Sequence, residues 1–224
     1  MAEVNPQTLQ EQVRRYVAED PVNGWDKAWQ EGITPWDSGH AQLALQDLLQ
    51  SQEVLFPNSG RALVPGCGRG YDAILISAIL QLDTLAVDIS PTAIDAARSL
   101  LLAEPNPEVR SKVRFELADF FALPESEEEK FNLIYDYTFF VALRPERRPD
   151  WAKKMAALTE SGGFLITLVF PMNPPQDYGP PFFVRPEHYV EVLGNEWEKV
   201  VDKVPERSSD THKGKEHIMV WKRK

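Results

Sequence analysis

Apolar positions in residues 5–19 recur at helical spacing. Leu9, Val13, Tyr16 and Val17 share one face, Asn5 can cap the helix and Pro6 suits its first position. A second helix is expected over about 41–52, where Leu43, Leu45, Leu48 and Leu49 recur. Between these helices stand Trp25, Trp29 and Trp36, three tryptophans within twelve residues of a segment poor in aliphatic side chains. After Gly60 the rhythm changes. Short apolar or alternating runs at 61–64, 84–89, 113–117, 131–136 and 164–170 read as strands. Helical stretches separate them at 71–80, 90–104 and 146–160, the second opened by the cap Ser90 and by Pro91. Gly162 and Gly163 are expected to introduce the fifth strand. Residues 186–193 read as a helix, and 197–204 with 216–221 as a closing antiparallel pair.

Regular alternation of strand and helix means a parallel sheet with right-handed crossovers and helices on both faces. In such an α/β fold, ligands lie at the carboxyl ends of the strands, near the point where the strand order reverses. The chain of 224 residues suits one domain, a helical cover over 1–58 on a core over 60–224. Residues 171–186 hold six of the eighteen prolines, which bars a regular helix or a central strand there. A lid over a site and a rigid connector are equal readings of that stretch.

Composition narrows the function. With 24 Lys and Arg against 34 Asp and Glu the net charge is −10, which disfavours a phosphate-neutralising groove for nucleic acid and docking to an anionic membrane. The single Cys67 cannot form an internal disulfide, and no Cys and His cluster has zinc spacing. The first twenty residues lack the apolar core of a signal peptide, so the expectation is a soluble, cytoplasmic protein that binds no metal.

Candidate chemistry sits at three strand ends. Gly66, Gly68 and Gly70 fill the turn after the first strand, where glycines let backbone approach a ligand and leave amides at the helix start open. Asp88, twenty residues past Gly68, ends the second strand, where a carboxylate can accept hydrogen bonds from ribose hydroxyls. Asp119 ends the third and is placed to meet an adenine amino group. Together they outline a nucleoside. The dinucleotide fingerprint would need glycine where Tyr71 stands, and the phosphate loop ending in Gly-Lys-Ser/Thr is absent. The spacing G-x-G-x-G is that of Rossmann-like S-adenosylmethionine-dependent methyltransferases, although the acid many of them carry two residues before the first glycine is replaced here by Val64.

Several ordered motifs resemble the thiopurine S-methyltransferase superfamily. They are Trp25-x-x-x-Trp29, Gly32-Ile-Thr-Pro-Trp36-Asp37, Leu63-Val-Pro-Gly-Cys-Gly68, Ile134-Tyr-Asp-Tyr-Thr-Phe-Phe140 and Leu165-Ile-Thr-Leu. Asp136 to Phe140, Pro145-Glu146 and Lys213-Gly-Lys-Glu216 resemble its halide/thiol methyltransferase branch. The resemblance runs from about residue 20 to the C-terminus. It implies a seven-stranded, mostly parallel Rossmann-like sheet, and an S-adenosylmethionine site using Trp25, Trp29, Trp36, Gly66, Gly68, Asp88, Ile89, Asp119, Phe120 and Tyr137. The N-terminal helix and the proline-rich loop would cover that site. Tyr137 and Phe170 are the candidates nearest the reaction, Tyr137 for alignment and sulfonium contact, Phe170 in the acceptor pocket where some relatives carry tyrosine. The implied protein is a monomer acting on a small anion or thiol.

Plainer readings stand beside these. Tyr137 and Phe139 can simply fill space below the next helix; the site is favoured for Tyr137 and the question is open for Phe139. Cys67 reads as a small residue in a tight loop, and Asp37 as a hydrogen-bonding residue rather than a base. His40, His188, His212 and His217 are scattered and read as surface or structural residues. With no evident general base, thiol turnover should climb with pH toward the thiol's own pKa while iodide turnover stays flat. Methylation of larger xenobiotic or secondary-metabolite thiols, and cofactor binding without catalysis, are the alternative functions.

Overall fold

The computed structural model describes residues 6–224. Seven strands form one sheet in the order β3-β2-β1-β4-β5-β7-β6. They are β1 (Arg61–Pro65), β2 (Asp83–Asp88), β3 (Val113–Leu117), β4 (Phe131–Tyr137), β5 (Thr159–Val169), β6 (Trp197–Lys203) and β7 (His217–Arg223). β1 to β5 pair in parallel, and β7 inserts antiparallel between β5 and β6, so it alone runs against the others. The strand order reverses between β1 and β4, which creates the expected crevice above their carboxyl ends.

Helices cover both faces. α3 (Leu43–Gln50), α4 (Tyr71–Leu80) and α5 (Pro91–Ala103) pack one face through Leu45, Ile76, Ile94 and Ala97. The other face carries α7 (Phe139–Ala142), α8 (Arg148–Leu158) and α9 (Pro186–Leu193), centred on Phe140, Trp151 and Tyr189. Trp151 is wholly buried, and at roughly 25 cal/mol per Å2 such an aromatic contributes a few kcal/mol. Above the strand ends lie α1 (Pro6–Glu19) and α2 (Asn23–Gln30), joined by their own small cluster of Val13, Tyr16, Ala28 and Ile33. Among the described residues no helix is long and apolar enough to cross a membrane.

The Ser90 cap is as expected: its hydroxyl accepts from the Ala93 amide at 3.0 Å. The Asn5 cap lies outside the described residues. Two helices were not foreseen, and three placements need correction. The segment holding Trp25 and Trp29 is helical (α2), held at its start by the Asp20 carboxylate, which accepts from the Val22 and Asn23 amides. Its polar composition hides it from a periodicity argument. A further short helix, α6 (Pro107–Lys112), starts at the Asn106 cap and buries only Val109, too little to register as a pattern. Gly162 and Gly163 lie inside β5, not before it, where the β4–β5 register shifts. Phe170 falls just past the end of β5. α3, counted with the cover, is part of the sheet's own helical layer.

Candidate active site

The turn after β1 brings backbone to the crevice. The Cys67 amide donates to the Val87 carbonyl at 3.0 Å, tying the turn to β2. Gly68 has φ +51, and a Cβ there would sit 3.3 Å from the Trp29 ring. Gly70 has φ +84, and its Cβ would collide with Phe115 at 2.3 Å. The positive φ favours glycine at both; at Gly70 core packing bars a Cβ as well, whereas at Gly68 the Trp29 ring would have to give by a few tenths of an ångström.

Asp88 stands at the end of β2. One carboxylate oxygen accepts from the Gly68 amide at 3.0 Å and the other from Ser90 at 2.9 Å. Each oxygen keeps a lone pair for a further donor. Burial raises its pKa despite those bonds, so a hydroxyl pair donating to it would be welcome. Ile89 is half-buried beside it. At the end of β3, exposed Asp119 uses one oxygen on the Phe121 amide at 2.9 Å, leaving the other free. Phe120 is buried against Phe121 and Phe139. Phe139 therefore packs under this end of the site.

Opposite the glycine turn is an aromatic wall. Trp29 and Trp36 meet edge to face at 6.3 Å, and Trp25 backs Trp36 at 5.4 Å. Trp29, Trp36, Gly66, Gly68, Tyr135 and Tyr137 line one cleft that encloses about 60 Å3. Trp25, Asp88, Ile89, Asp119, Phe120 and Phe170 stand outside that lining. Arg69 is the one cationic side chain among the described lining residues; its guanidinium donates to Asp37 at 2.8 Å and lies over Trp29. Asp37 is thus a hydrogen-bonding residue, as its sequence context suggests.

Alternation along β4 sorts its side chains. Tyr135 and Tyr137 face the cleft, while Asp136 points to the opposite layer, wholly buried, accepting from the Phe140 amide at 3.2 Å and Trp151 Nε1 at 2.8 Å. Burial lifts Asp136 to about 7. Cys67 is pushed up by burial and by Asp88, which leaves it a thiol.

Four features escaped the sequence reading. Asp72, in the first turn of α4, accepts from the Gln42 amide at 2.7 Å and is raised by burial to about 7. The Tyr135 hydroxyl is buried in the cleft wall with no hydrogen-bond partner among the described residues. Asp26 fastens the cover: it accepts from Ser90 Oγ at 2.6 Å and the Thr92 amide at 3.0 Å, joining α2 to the start of α5. Burial opposes its charge, yet hydrogen bonds from Ser90, Thr92 and Gln30 outweigh this and lower its pKa. The fourth is His212. Its Nε2 lies 2.7 Å from Tyr137 Oη and its ring stacks on Phe170 at 3.7 Å. These residues meet only through the tertiary fold; for His212 the one sequence signal is its place beside Lys213-Gly-Lys-Glu216.

The proline-rich segment is strapped down. The Phe182 amide donates to the Val141 carbonyl at 2.8 Å, Arg148 to Phe183 at 2.8 Å and Arg185 to Asn173 at 2.7 Å. Arg14 of α1 lies over the Tyr178 ring, so the N-terminal helix and this strap touch.

A family model described as thiopurine S-methyltransferase matches residues 21–224. The chain belongs to the thiopurine S-methyltransferase family. Within this family it is 38% identical to a probable thiol methyltransferase 2 of Arabidopsis thaliana, over 97% of this chain and 92% of that protein. It is 37% identical to a thiocyanate methyltransferase 1 of Brassica oleracea, over 95% of this chain and 91% of that one. Among solved structures, a glycopeptide N-methyltransferase complexed with S-adenosyl-L-methionine matches with a TM-score of 0.60 at 14% identity, over 81% of this chain and 93% of that one. That match concerns the fold: the Rossmann-like methyltransferase sheet. This thiopurine S-methyltransferase family member is a methyltransferase, with its crevice at the strand ends.

Proposed function

We propose that this methyltransferase binds S-adenosylmethionine in the crevice and transfers methyl to a small soft nucleophile: a thiol, hydrosulfide, thiocyanate or halide ion. The observation that carries the reading is the cleft wall. Trp29, Trp36 and Tyr137 present aromatic surface, and the lining cation Arg69 is neutralised by Asp37, so no free positive charge opposes a cation there. Such a wall suits a bound cation. S-adenosylmethionine supplies a methyl group on a positively charged sulfur.

Each candidate residue has a role in this reading. The Asp88 carboxylate takes the ribose hydroxyls, with Ile89 alongside. The free oxygen of Asp119 takes the adenine amino group, and Phe120 flanks the base. Gly66 and Gly68 let the backbone approach, and Trp29, Trp36 and Tyr137 flank the sulfonium while Trp25 braces Trp36. Phe170, beyond Tyr137 at 6.1 Å between rings, helps close the acceptor side. Attack of an anion on a sulfonium neutralises charge, so residues that align the partners and exclude water do most of the work. The cofactor's charge draws in the anion despite the chain's net −10. The similarity to thiol and thiocyanate methyltransferases over nearly the whole chain supports the choice of acceptor.

Formation of S-adenosylhomocysteine should be followed with thiocyanate, iodide, hydrosulfide and an aromatic thiol in parallel. The small acceptors should give the higher kcat/KM. Turnover confined to the aromatic thiol would move the function to larger thiols, and tight binding without turnover would make the chain a non-catalytic binder.

A further inference from the structure

His212 lies on the segment between β6 and β7 and is 2% exposed. On one side its Nε2 is 2.7 Å from Tyr137 Oη; on the other its Nδ1 is 2.5 Å from Ser209 Oγ and 3.0 Å from Thr211 Oγ1. Phe170 stacks on the ring and holds its plane. Thr211 is exposed, so the chain of polar atoms runs from the cleft, through Tyr137, His212 and two hydroxyls, to the surface. The charged and titratable groups around it are Tyr137 from β4, His40 from the segment before α3, and Lys215 from its own segment; Asp72, Glu216 and Asp37 bear on Tyr137. Burial, then His40 and Lys215, hold the imidazole down to about 4, so at neutral pH it is uncharged. Burial and Asp72 push Tyr137 up, so it does not become a tyrosinate. Tyr137 can pass a proton on but cannot keep one away.

We infer that His212 is a positioning residue that accepts, through Tyr137, the proton of an acceptor arriving as a neutral thiol. This rests on the methyl-transfer reading above. In the resting state Nδ1–H donates to the Ser209 hydroxyl and bare Nε2 accepts the Tyr137 O–H, which turns the Tyr137 oxygen lone pairs toward the cleft. As the acceptor sulfur forms its bond to the methyl carbon, the electrons of the old carbon–sulfur bond leave with the adenosyl sulfur. The acceptor's S–H proton moves to Tyr137 Oη, and the Tyr137 proton moves to Nε2. The imidazolium then releases its Nδ1 proton through Ser209 and Thr211 to water. Once product has left, Nδ1 takes a proton back through the same hydroxyls while Nε2 returns its own to Tyr137 and Tyr137 passes one to water in the cleft, which restores the resting tautomer. One proton and one positive charge pass from the reacting centre to solvent. A sulfur that kept its proton while gaining a methyl would be a strong acid, so a neutral imidazole is base enough. Iodide and thiocyanate carry no proton and do not need the relay. General-base help of this kind is typically worth ~100- to 10,000-fold.

The test compares kcat/KM for a small alkyl thiol and for thiocyanate from about pH 6 to pH 9, in the wild type, His212→Phe, Tyr137→Phe and the double variant. The wild-type thiol curve should already be flat at neutral pH, in place of the climb expected from the sequence, where no base was evident. His212→Phe should lower the thiol-to-thiocyanate ratio at least tenfold near pH 6.5 and regain it as pH approaches the thiol's own pKa. Tyr137→Phe should do the same, and the double variant should lose no more than either single one. Independently of turnover, 15N NMR of the free protein should show His212 protonated on Nδ1 and bare on Nε2. Should His212→Phe fail to fold, the Tyr137→Phe ratio and the wild-type NMR still decide. A ratio unmoved in the variants, or a proton on Nε2, overturns the relay while thiocyanate turnover keeps the methyl-transfer reading intact. A wild type that methylates neither acceptor overturns that reading and the relay with it.

Discussion

Asp88 accepts one backbone amide on each carboxylate oxygen at the end of β2, beside the glycine turn. Asp88→Ala should weaken binding of S-adenosylmethionine and S-adenosylhomocysteine by about 1–3 kcal/mol, the effect of leaving buried donors unpaired. Calorimetry checks this, and an unchanged affinity would remove Asp88 from the site. Two glycines separate binding from folding. Gly70→Ala forces a Cβ into Phe115 and should lower stability by about 1–3 kcal/mol. Gly68→Ala meets only the Trp29 ring and should show its larger effect on cofactor affinity. Comparing melting temperature with affinity in both variants tests the distinction; equal effects on both properties would contradict it. Asp88 and the glycines were legible because their spacing along the chain carries the chemistry. Asp72, Tyr135 and His212 were not, because each acquires its role only from neighbours distant in sequence: Gln42 for Asp72, Tyr137 for His212.

Trp29 of α2 lines the cleft, and Arg14 of α1 lies over Tyr178 of the proline-rich segment. α1 packs on α2 through a cluster of its own, fastened by the Tyr16 hydroxyl donating to Glu31 at 2.5 Å and by Lys27 over the Tyr16 ring. In the proposed site the cleft of about 60 Å3 takes only part of the cofactor, since Asp88 and Asp119 lie outside its lining, and α2 supplies the wall that carries Trp29. Removing residues 1–20 should therefore reduce turnover at least tenfold while lowering the melting temperature by only a few degrees, about 1 kcal/mol. A truncated protein with full activity would rule out the cover's role. Alternating strands and helices after Gly60 were readable because each is buried on one or both faces and must be apolar at period 2 or 3.6. α2 escaped because it is short and polar, its only apolar clue being two tryptophans one helical turn apart. The proline-rich segment was correctly barred from helix and sheet, but its hydrogen bonds to Val141 and Arg148 show in the structure alone.

Across the whole molecule, two buried carboxylates carry a pH signature. Burial raises Asp72 and Asp136 from 3.8 to about 7. Between those values the folded chain holds protons that the unfolded chain has released. Their contribution to stability is therefore fullest below about pH 4 and is lost as pH rises toward 7. Wild-type denaturation midpoints should decrease between pH 4 and pH 7 and level off above, and Asp72→Asn should flatten that slope. A slope unchanged by Asp72→Asn would show that Asp72 is ionised throughout. The sheet with its reversal between β1 and β4 and the tryptophans before α3 make the cleft, and the methyl-transfer reading concerns what leaves it. The most direct measurement supplies S-adenosylmethionine bearing a deuterated methyl group, with iodide or hydrosulfide in a sealed vial, and analyses the headspace by mass spectrometry. Deuterated iodomethane or methanethiol, formed in step with S-adenosylhomocysteine, is the predicted result. Tight cofactor binding with no labelled volatile product from either nucleophile would contradict it.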